Sequence, residues 1–128
     1  MSDFQVFSIA SQKANWLTAR QTVIASNIAN SSTPGFKAKD VEPFSAVLDG
    51  VGAGLSVTNS RHMNIGGGSA RSAETATRID PFGKTTHSGN SVSIERELIK
   101  SSEVTGAFSL NSNIIKAFHR MMLMSVRG

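Results

Sequence analysis

Residues 25–38 read Ala25-Ser26-Asn27-Ile28-Ala29-Asn30-Ser31-Ser32-Thr33-Pro34-Gly35-Phe36-Lys37-Ala38, and this stretch decides the fold. A nearly uncharged helical run enters it, dissolves into small polar residues and stops at Pro34-Gly35. Pro34 fixes its own φ, lacks an N–H and pushes Thr33 out of the α region. Gly35 takes positive φ without steric cost, so Pro-Gly suits the two central positions of a type II turn. Phe36 and Lys37 leave the turn as an apolar anchor beside a charge.

On the N-terminal side, Ser2-x-x-Gln5 has the form of a capping box and predicts a helix from there to about Asn30. Phe7, Ala10, Ala14, Leu17, Gln21, Ile24 and Ile28 recur in alternating steps of three and four, the seam of a coiled coil with one polar interruption. Val6, Ile9, Trp16 and Val23 lie outside that seam and widen the apolar surface. At 1.5 Å per residue the helix is roughly 40 Å long. Only Lys13 and Arg20 carry charge between Phe4 and Asn30. A face of Ser, Thr, Gln and Asn is desolvated against protein at lower cost than a charged one, which implies contact on several sides.

Beyond the turn, a second helix is expected from Ser93 as N-cap to about Arg127, with Glu95 and Glu97 in its first turn where carboxylates favour the dipole. Val104, Phe108, Ile115, Phe118 and Met122 form one apolar stripe; Leu110, Ile114, Ala117, Met121 and Met124 form another, displaced around the axis. No acid follows Glu103, whereas Lys116, Arg120 and Arg127 lie toward the C-terminus. Gly106 costs about 1 kcal/mol relative to Ala inside a helix, so a bend or close approach is expected there. One antiparallel helix pair cannot bury two stripes on each member. The surplus requires other chains, and the isolated subunit is expected to be frayed.

The fold class is therefore mainly α, in three parts: an N-terminal helix over 1–32, a turn, loops and at most a small β element over 33–92, and a C-terminal helix over 93–128. Residues 50–90 hold eight of the 11 glycines and few large apolar side chains. Leu55–Thr58 alternates like a strand, Val41–Leu48 reads either as a helical turn or as extended chain, and Asp80-Pro81-Phe82-Gly83 reads as a turn. Gly66-Gly67-Gly68 and the polar run 69–77 read as flexible.

Chemistry is scarce. The net charge of +4 is scattered, with no basic block or zinc spacing, so nucleic acid is not an expected partner. There is no cysteine. Gly83-Lys84-Thr85 ends like a phosphate loop, but Arg78 stands where that motif needs glycine, and the triple glycine lacks dinucleotide-loop spacing. His62, His87 and His119 share no metal-binding spacing, so neither a metal nor a cofactor is expected. No run approaches the roughly 18–20 apolar residues of a membrane span, so direct membrane insertion is not expected. Residues 1–20 lack a secretory h-region, so any exit from the cytoplasm must use a route without a cleaved signal. The Met-rich basic end, Phe118–Arg127, suits helix packing in an assembly or, alternatively, a membrane surface.

Two strings resemble the signatures of the flagellar basal-body rod and hook axial protein family. Asn27, Ile28, Ala29, Asn30, Thr33, Pro34, Gly35, Phe36 and Lys37 fit its Asn-Ile-Ala-Asn … Thr-Pro-Gly-Phe-Lys pattern, and Ala19-Arg20-Gln21 fits the approach to it. Gly89-Asn90-Ser91-Val92-Ser93-Ile94-Glu95-Arg96-Glu97 resembles the start of the family's C-terminal helix, with Ser93 where Asp is usual. About half the chain is covered. The resemblance implies a structural, non-enzymatic subunit of the proximal rod that is exported unfolded by the flagellar type III apparatus. It implies helical polymerisation, with transmission of torque and enclosure of the export channel. It further implies contacts with its own copies, other rod subunits, the adaptor at the hook–basal body junction and the export gate. Phe7, Leu17, Ile24, Ile28, Phe108, Ile115, Phe118 and Met122 are then the expected helix contacts, and Asn27, Asn30, Pro34, Gly35 and Phe36 the residues that set the turn. The alternatives are the neighbouring proximal rod subunit, or an amphipathic-helix adaptor for a membrane or partner helix.

Overall fold

The computed structural model describes residues 3–52 and 76–128. Along the chain run α1 (Asp3–Ala29), β1 (Lys39–Val41), α2 (Phe44–Gly52), β2 (Thr77–Ile79) and α3 (Ile94–Arg127). The fold is mainly α, with two long terminal helices and one small two-stranded element between them. The Ser2 cap, the strand-like Leu55–Thr58, the triple glycine and all of 69–77 except its last two residues lie outside the described residues.

Both long helices lie side by side and antiparallel. Phe7 meets Phe118 edge to face with ring centroids 5.4 Å apart. Further along, Asn111 Nδ2 donates to the Ala10 carbonyl at 3.1 Å, and Gln21 Nε2 donates to Ser101 Oγ at 3.3 Å. Each step up α1 is thus matched by a step down α3. The sequence seam is the contact line: Leu17, Ile24 and Val104 are fully buried, and Ala10 is buried beside them. Burying a side chain such as Leu17 or Ile24 contributes about 2 kcal/mol.

Part of the second apolar set of α1, Trp16 and Val23, finds its cover within the same chain. Trp16 is buried against Phe44 at the start of α2, ring centroids 5.8 Å apart, and its Nε1–H donates to the Glu42 carbonyl at 2.7 Å. Lys13 Nζ lies 4.4 Å from the Trp16 ring centre and 4.5 Å from that of Phe44. Burial, then the charge of Arg20, pushes the Lys13 ammonium below its ordinary pKa. The expectation that surplus apolar surface needs other chains therefore fails for this part of α1.

Segment 41–48 resolves into both of its readings. Val41 ends a strand, and Pro43, which has no N–H to donate, stands just before the first residue of α2. β1 and β2 pair antiparallel, with Lys39 opposite Ile79, Asp40 opposite Arg78 and Val41 opposite Thr77. Asp80 N–H to Ala38 O (2.8 Å) and Glu42 N–H to Ala76 O (2.9 Å) extend the ladder at both ends.

On α3, the surface away from α1 stays uncovered. Leu110, Ile114, Met121 and Met124 are 62, 48, 57 and 60% exposed. Gly106 makes no close approach, since a Cβ there would meet nothing within 4 Å. Ser93 occupies the N-cap position with extended backbone, but its hydroxyl bonds the Glu95 carboxylate at 2.9 Å rather than a helix N–H. The nearby Glu95 backbone N–H, and then the Ser93 hydroxyl, hold the Glu95 carboxyl pKa below the ordinary range.

Candidate functional site

The two signature strings, more than fifty residues apart, are locked to one another. At the end of α1, Thr33 O accepts from Phe36 N–H at 3.2 Å, which places Pro34 and Gly35 at the centre of a turn. Gly35 has φ 76°, the positive value that the third residue of a type II turn requires. Opposite it, Gly89 has φ 81°, and a Cβ on Gly89 would lie 3.3 Å from Gly35 Cα. Gly35 N–H donates to Ser88 O at 3.0 Å, Ser91 N–H to Phe36 O at 3.0 Å, and Lys37 Nζ to Gly89 O at 3.0 Å. Ala38 N–H completes the lock on Ser91 Oγ at 2.8 Å.

Asn90 sits at its centre. Its buried Nδ2 donates to the carbonyls of Asn30 (2.9 Å), Ser31 (3.0 Å) and Thr33 (2.7 Å). A helix leaves its last carbonyls without intrahelical partners, and here a side chain from the other end of the molecule satisfies those just beyond α1. Asn90 Oδ1 accepts from Val92 N–H at 2.7 Å, which fixes which end of the amide carries the donors.

Asn27 makes a similar clamp one turn earlier. Its Nδ2 donates to Lys39 O at 2.7 Å while its Oδ1 accepts from Lys39 N–H at 3.1 Å, so one side chain pairs with both backbone groups of the first β1 residue. The same Nδ2 reaches Glu97 Oε2 at 3.1 Å. Glu97 lies in the first turn of α3, as the sequence suggested, and is fully buried there, on the face opposite the exposed Glu95.

Glu97 begins a buried charge network. Lys100 Nζ donates to Asp80 Oδ2 at 2.7 Å and to Glu97 Oε1 at 3.2 Å, and lies 3.8 Å from Asp40 Oδ2. Arg96 reaches Asp80 Oδ2 at 3.2 Å. Arg20 on α1 joins Asp40 at 3.3 Å and Glu103 at 3.5 Å. Burial pulls the Lys100 ammonium down, but the hydrogen bonds to Asp80 and Glu97 and the charges of Glu97 and Asp40 outweigh it and raise its pKa. Burial likewise pushes Asp80 up, yet the Lys100 hydrogen bond, the Phe82 N–H and the charges of Lys100 and Arg96 hold its carboxyl below the ordinary range. An open cleft of about 350 Å³ adjoins these groups, and its four cations, Arg20, Arg78, Arg96 and Lys100, each lie within 4 Å of an acid. The arrangement is mechanical in character: it ties α1, β1, the turn after β2 and α3 into one joint.

The remaining predicted residues fall into place around this joint. Asn30 turns its Nδ2 to Ser26 O and receives the Thr33 hydroxyl. Ile28 and Phe36 are half-buried, whereas Ala29, Thr33, Pro34, Gly35 and Lys37 are exposed. Of the predicted helix contacts, Leu17 and Ile24 are in the core, Phe7, Ile115, Phe118 and Met122 are half-buried, and Phe108 is 36% exposed. Gly83-Lys84-Thr85 forms no phosphate loop: no helix starts after Thr85, and a Cβ on Gly83 would press on Ser91 O at 3.0 Å. Among the described residues no group of three His, Asp or Glu could hold a metal ion. The Asp80–Lys100–Glu97 network was missed from sequence, although the i,i+3 spacing of Glu97 and Lys100 was there to be read.

Known proteins are similar to this chain. The sequence profile described as "Flagella basal body rod protein" matches residues 14–37, which end within the lock. The flagellar basal body rod protein FlgB of Agrobacterium fabrum is 42% identical over 132 residues, covering 99% of this chain and 96% of the relative. Its counterpart in Aeromonas hydrophila is 31% identical over 97 residues, covering 73% of this chain and 70% of the relative. In Salmonella typhimurium the FlgB protein is 24% identical over 123 residues, covering 89% and 87%. An identity that runs almost end to end, with the profile match over residues 14–37, places this chain in the FlgB family of flagellar basal body rod proteins.

Proposed function

We propose that this flagellar basal body rod subunit is a non-enzymatic building block of the proximal rod. Its copies polymerise helically through the faces of α1 and α3, transmit motor torque and enclose the export channel. Its partners are its own copies, other rod subunits, the adaptor at the hook–basal body junction and the export gate. It reaches the periplasmic rod through the flagellar type III apparatus without a cleaved signal. Among the described residues no helix is long and apolar enough to cross a membrane.

The observation that carries this reading is the uncovered apolar face of α3. Leu110, Ile114, Met121 and Met124 stay about half exposed although α3 is already paired with α1. Exposed apolar surface of this extent on a small chain is a mark of an interaction surface. The joint built on Asn27, Asn90 and Lys100 supports it further, because a torque-bearing subunit needs its two helices fixed relative to one another. Deletion of the gene, complementation with a tagged copy and purification of basal bodies test the proposal. Swimming restored together with the tagged chain in isolated rods is the expected result; swimming without its incorporation overturns it.

A further inference from the structure

The uncovered face of α3 is a regular seam. Leu110, Ile114, Ala117, Met121 and Met124 follow one another in steps of four and three over roughly 21 Å of helix. A seam of that period is covered by another helix. We propose that its occupant is the outer face of α1 of a second copy of this chain; the inference rests on the rod-subunit reading and deepens it.

Three observations select that face. Ser11, Thr18, Thr22, Ala25 and Ala29 are all exposed on α1 and follow a matching heptad spacing, with Asn15 between the first two. This stripe runs for roughly 27 Å, long enough to accept the whole α3 seam. Short side chains there leave room for Leu and Met knobs. Second, two of its hydroxyls are already occupied: Thr18 Oγ1 donates to Ala14 O and Thr22 Oγ1 to Thr18 O, both at 3.0 Å. Covering these two hydroxyls leaves neither donor unpaired, so their desolvation is cheap. Third, charge argues against the alternative. After Glu103, α3 carries Lys116, Arg120 and Arg127 and no acid, so two α3 seams face to face would bring like charges together. The α1 stripe has no charge at all.

The contact is heterologous: the α3 seam of one copy is filled by the α1 stripe of the next, whose own α3 seam stays free. Such a contact extends into a ring or an open filament and does not close as a two-fold dimer. The design needs no separate polymerisation domain.

Two exposed-face variants of the full chain test this by sedimentation velocity. Leu110→Ser with Met121→Ser removes the knobs, and Thr18→Arg with Thr22→Arg blocks the stripe with bulk and like charge. Circular dichroism and Trp16 fluorescence confirm that each keeps the internal helix pair. The native chain is expected to form a concentration-dependent series of oligomers, and each variant alone to remain monomeric, with association weakened about 30-fold or more. Mixed one to one, the variants retain a single competent contact and should yield a dimer that grows no further. Dimers of the Arg variant alone would show an α3–α3 contact and overturn the proposal. So would a mixture that stays monomeric, or a native chain monomeric at every concentration. Incorporation of the native chain into basal bodies, scored separately, tells failure of this contact from failure of the rod assignment.

Discussion

Replacing Asn90 is the sharpest test of the lock. Its amide supplies the donors for three carbonyls at 2.7–3.0 Å and accepts one N–H at 2.7 Å. In Asn90→Ala the Thr33 carbonyl, on an exposed residue, can turn to water, whereas those of Asn30 and Ser31 sit on half-buried residues. The Asn30 carbonyl keeps the Thr33 N–H at 3.0 Å, so the Ser31 carbonyl and the Val92 N–H are the groups left without partners, at about 1 kcal/mol each, and the expected loss is about 2 kcal/mol. With a urea slope of about 1.5 kcal/mol per molar, the midpoint falls by about 1.3 M. Asn90→Asp is the more revealing change because it alters shape hardly at all. It keeps the acceptor for Val92 but points a carboxylate at three carbonyl oxygens, and should cost at least about 1 kcal/mol more than alanine. Protonating that carboxylate restores one donor, so the Asp variant alone should gain stability as the pH falls to about 4. Urea titrations followed by circular dichroism and Trp16 fluorescence measure all three proteins. An alanine variant within about 0.5 kcal/mol of the native chain, or an aspartate variant no worse than alanine, would refute the reasoning.

Lys100→Met strips Asp80 and Glu97 of their shared ammonium and should cost about 3 kcal/mol by urea titration, toward the lower end for a broken buried pair because Arg96 still reaches Asp80. Asp80 has a lowered pKa, so its contribution is present above the ordinary carboxylate value and lost as pH falls through the folded one; Asp80→Asn should flatten that acid limb. Lys100 has a raised pKa, so its contribution is complete below the ordinary lysine value and lost as pH rises past the folded one, which a base titration of stability should show. At Gly35, with φ 76°, Val should destabilise by about 2 kcal/mol and impair swimming, while Asn, which tolerates the left-handed region, should retain most of both. Gly106→Ala should stabilise the isolated chain by about 1 kcal/mol in thermal melts, because the added methyl meets nothing.

Local signals carried the long elements. The heptad seam of α1 placed Leu17 and Ile24, and the first stripe of α3 placed Val104, where they are buried, and Pro34-Gly35 marked the exit from α1. The Asp80–Gly83 turn was legible for the same reason: Gly83 N–H reaches Asp80 O at 3.4 Å, a contact between near neighbours. What stayed hidden depends on residues far apart in sequence. Asn90 as donor to Asn30, 60 positions away, leaves no trace in either neighbourhood. Three-residue strands are too short to show a period, and β1 finds its partner 38 residues later. Glu97 is in the first helical turn as expected, but its burial against the ammonium three residues on went unread because the dipole already gave a sufficient local explanation. The second stripe of α1 was assigned to other chains since nothing in its spacing reveals that Phe44 folds back over Trp16.

The position of Asn90 in the chain has a temporal consequence. A polypeptide that emerges through a narrow pore from its N-terminus delivers all of α1 well before the amide that caps it. Until then, closing the loop carries an entropic cost with no bonds to offset it, roughly 3.6 kcal/mol plus a constant for 60 residues. A chain delivered in that order would stay slack and threadable, and would stiffen only once Asn90 is through.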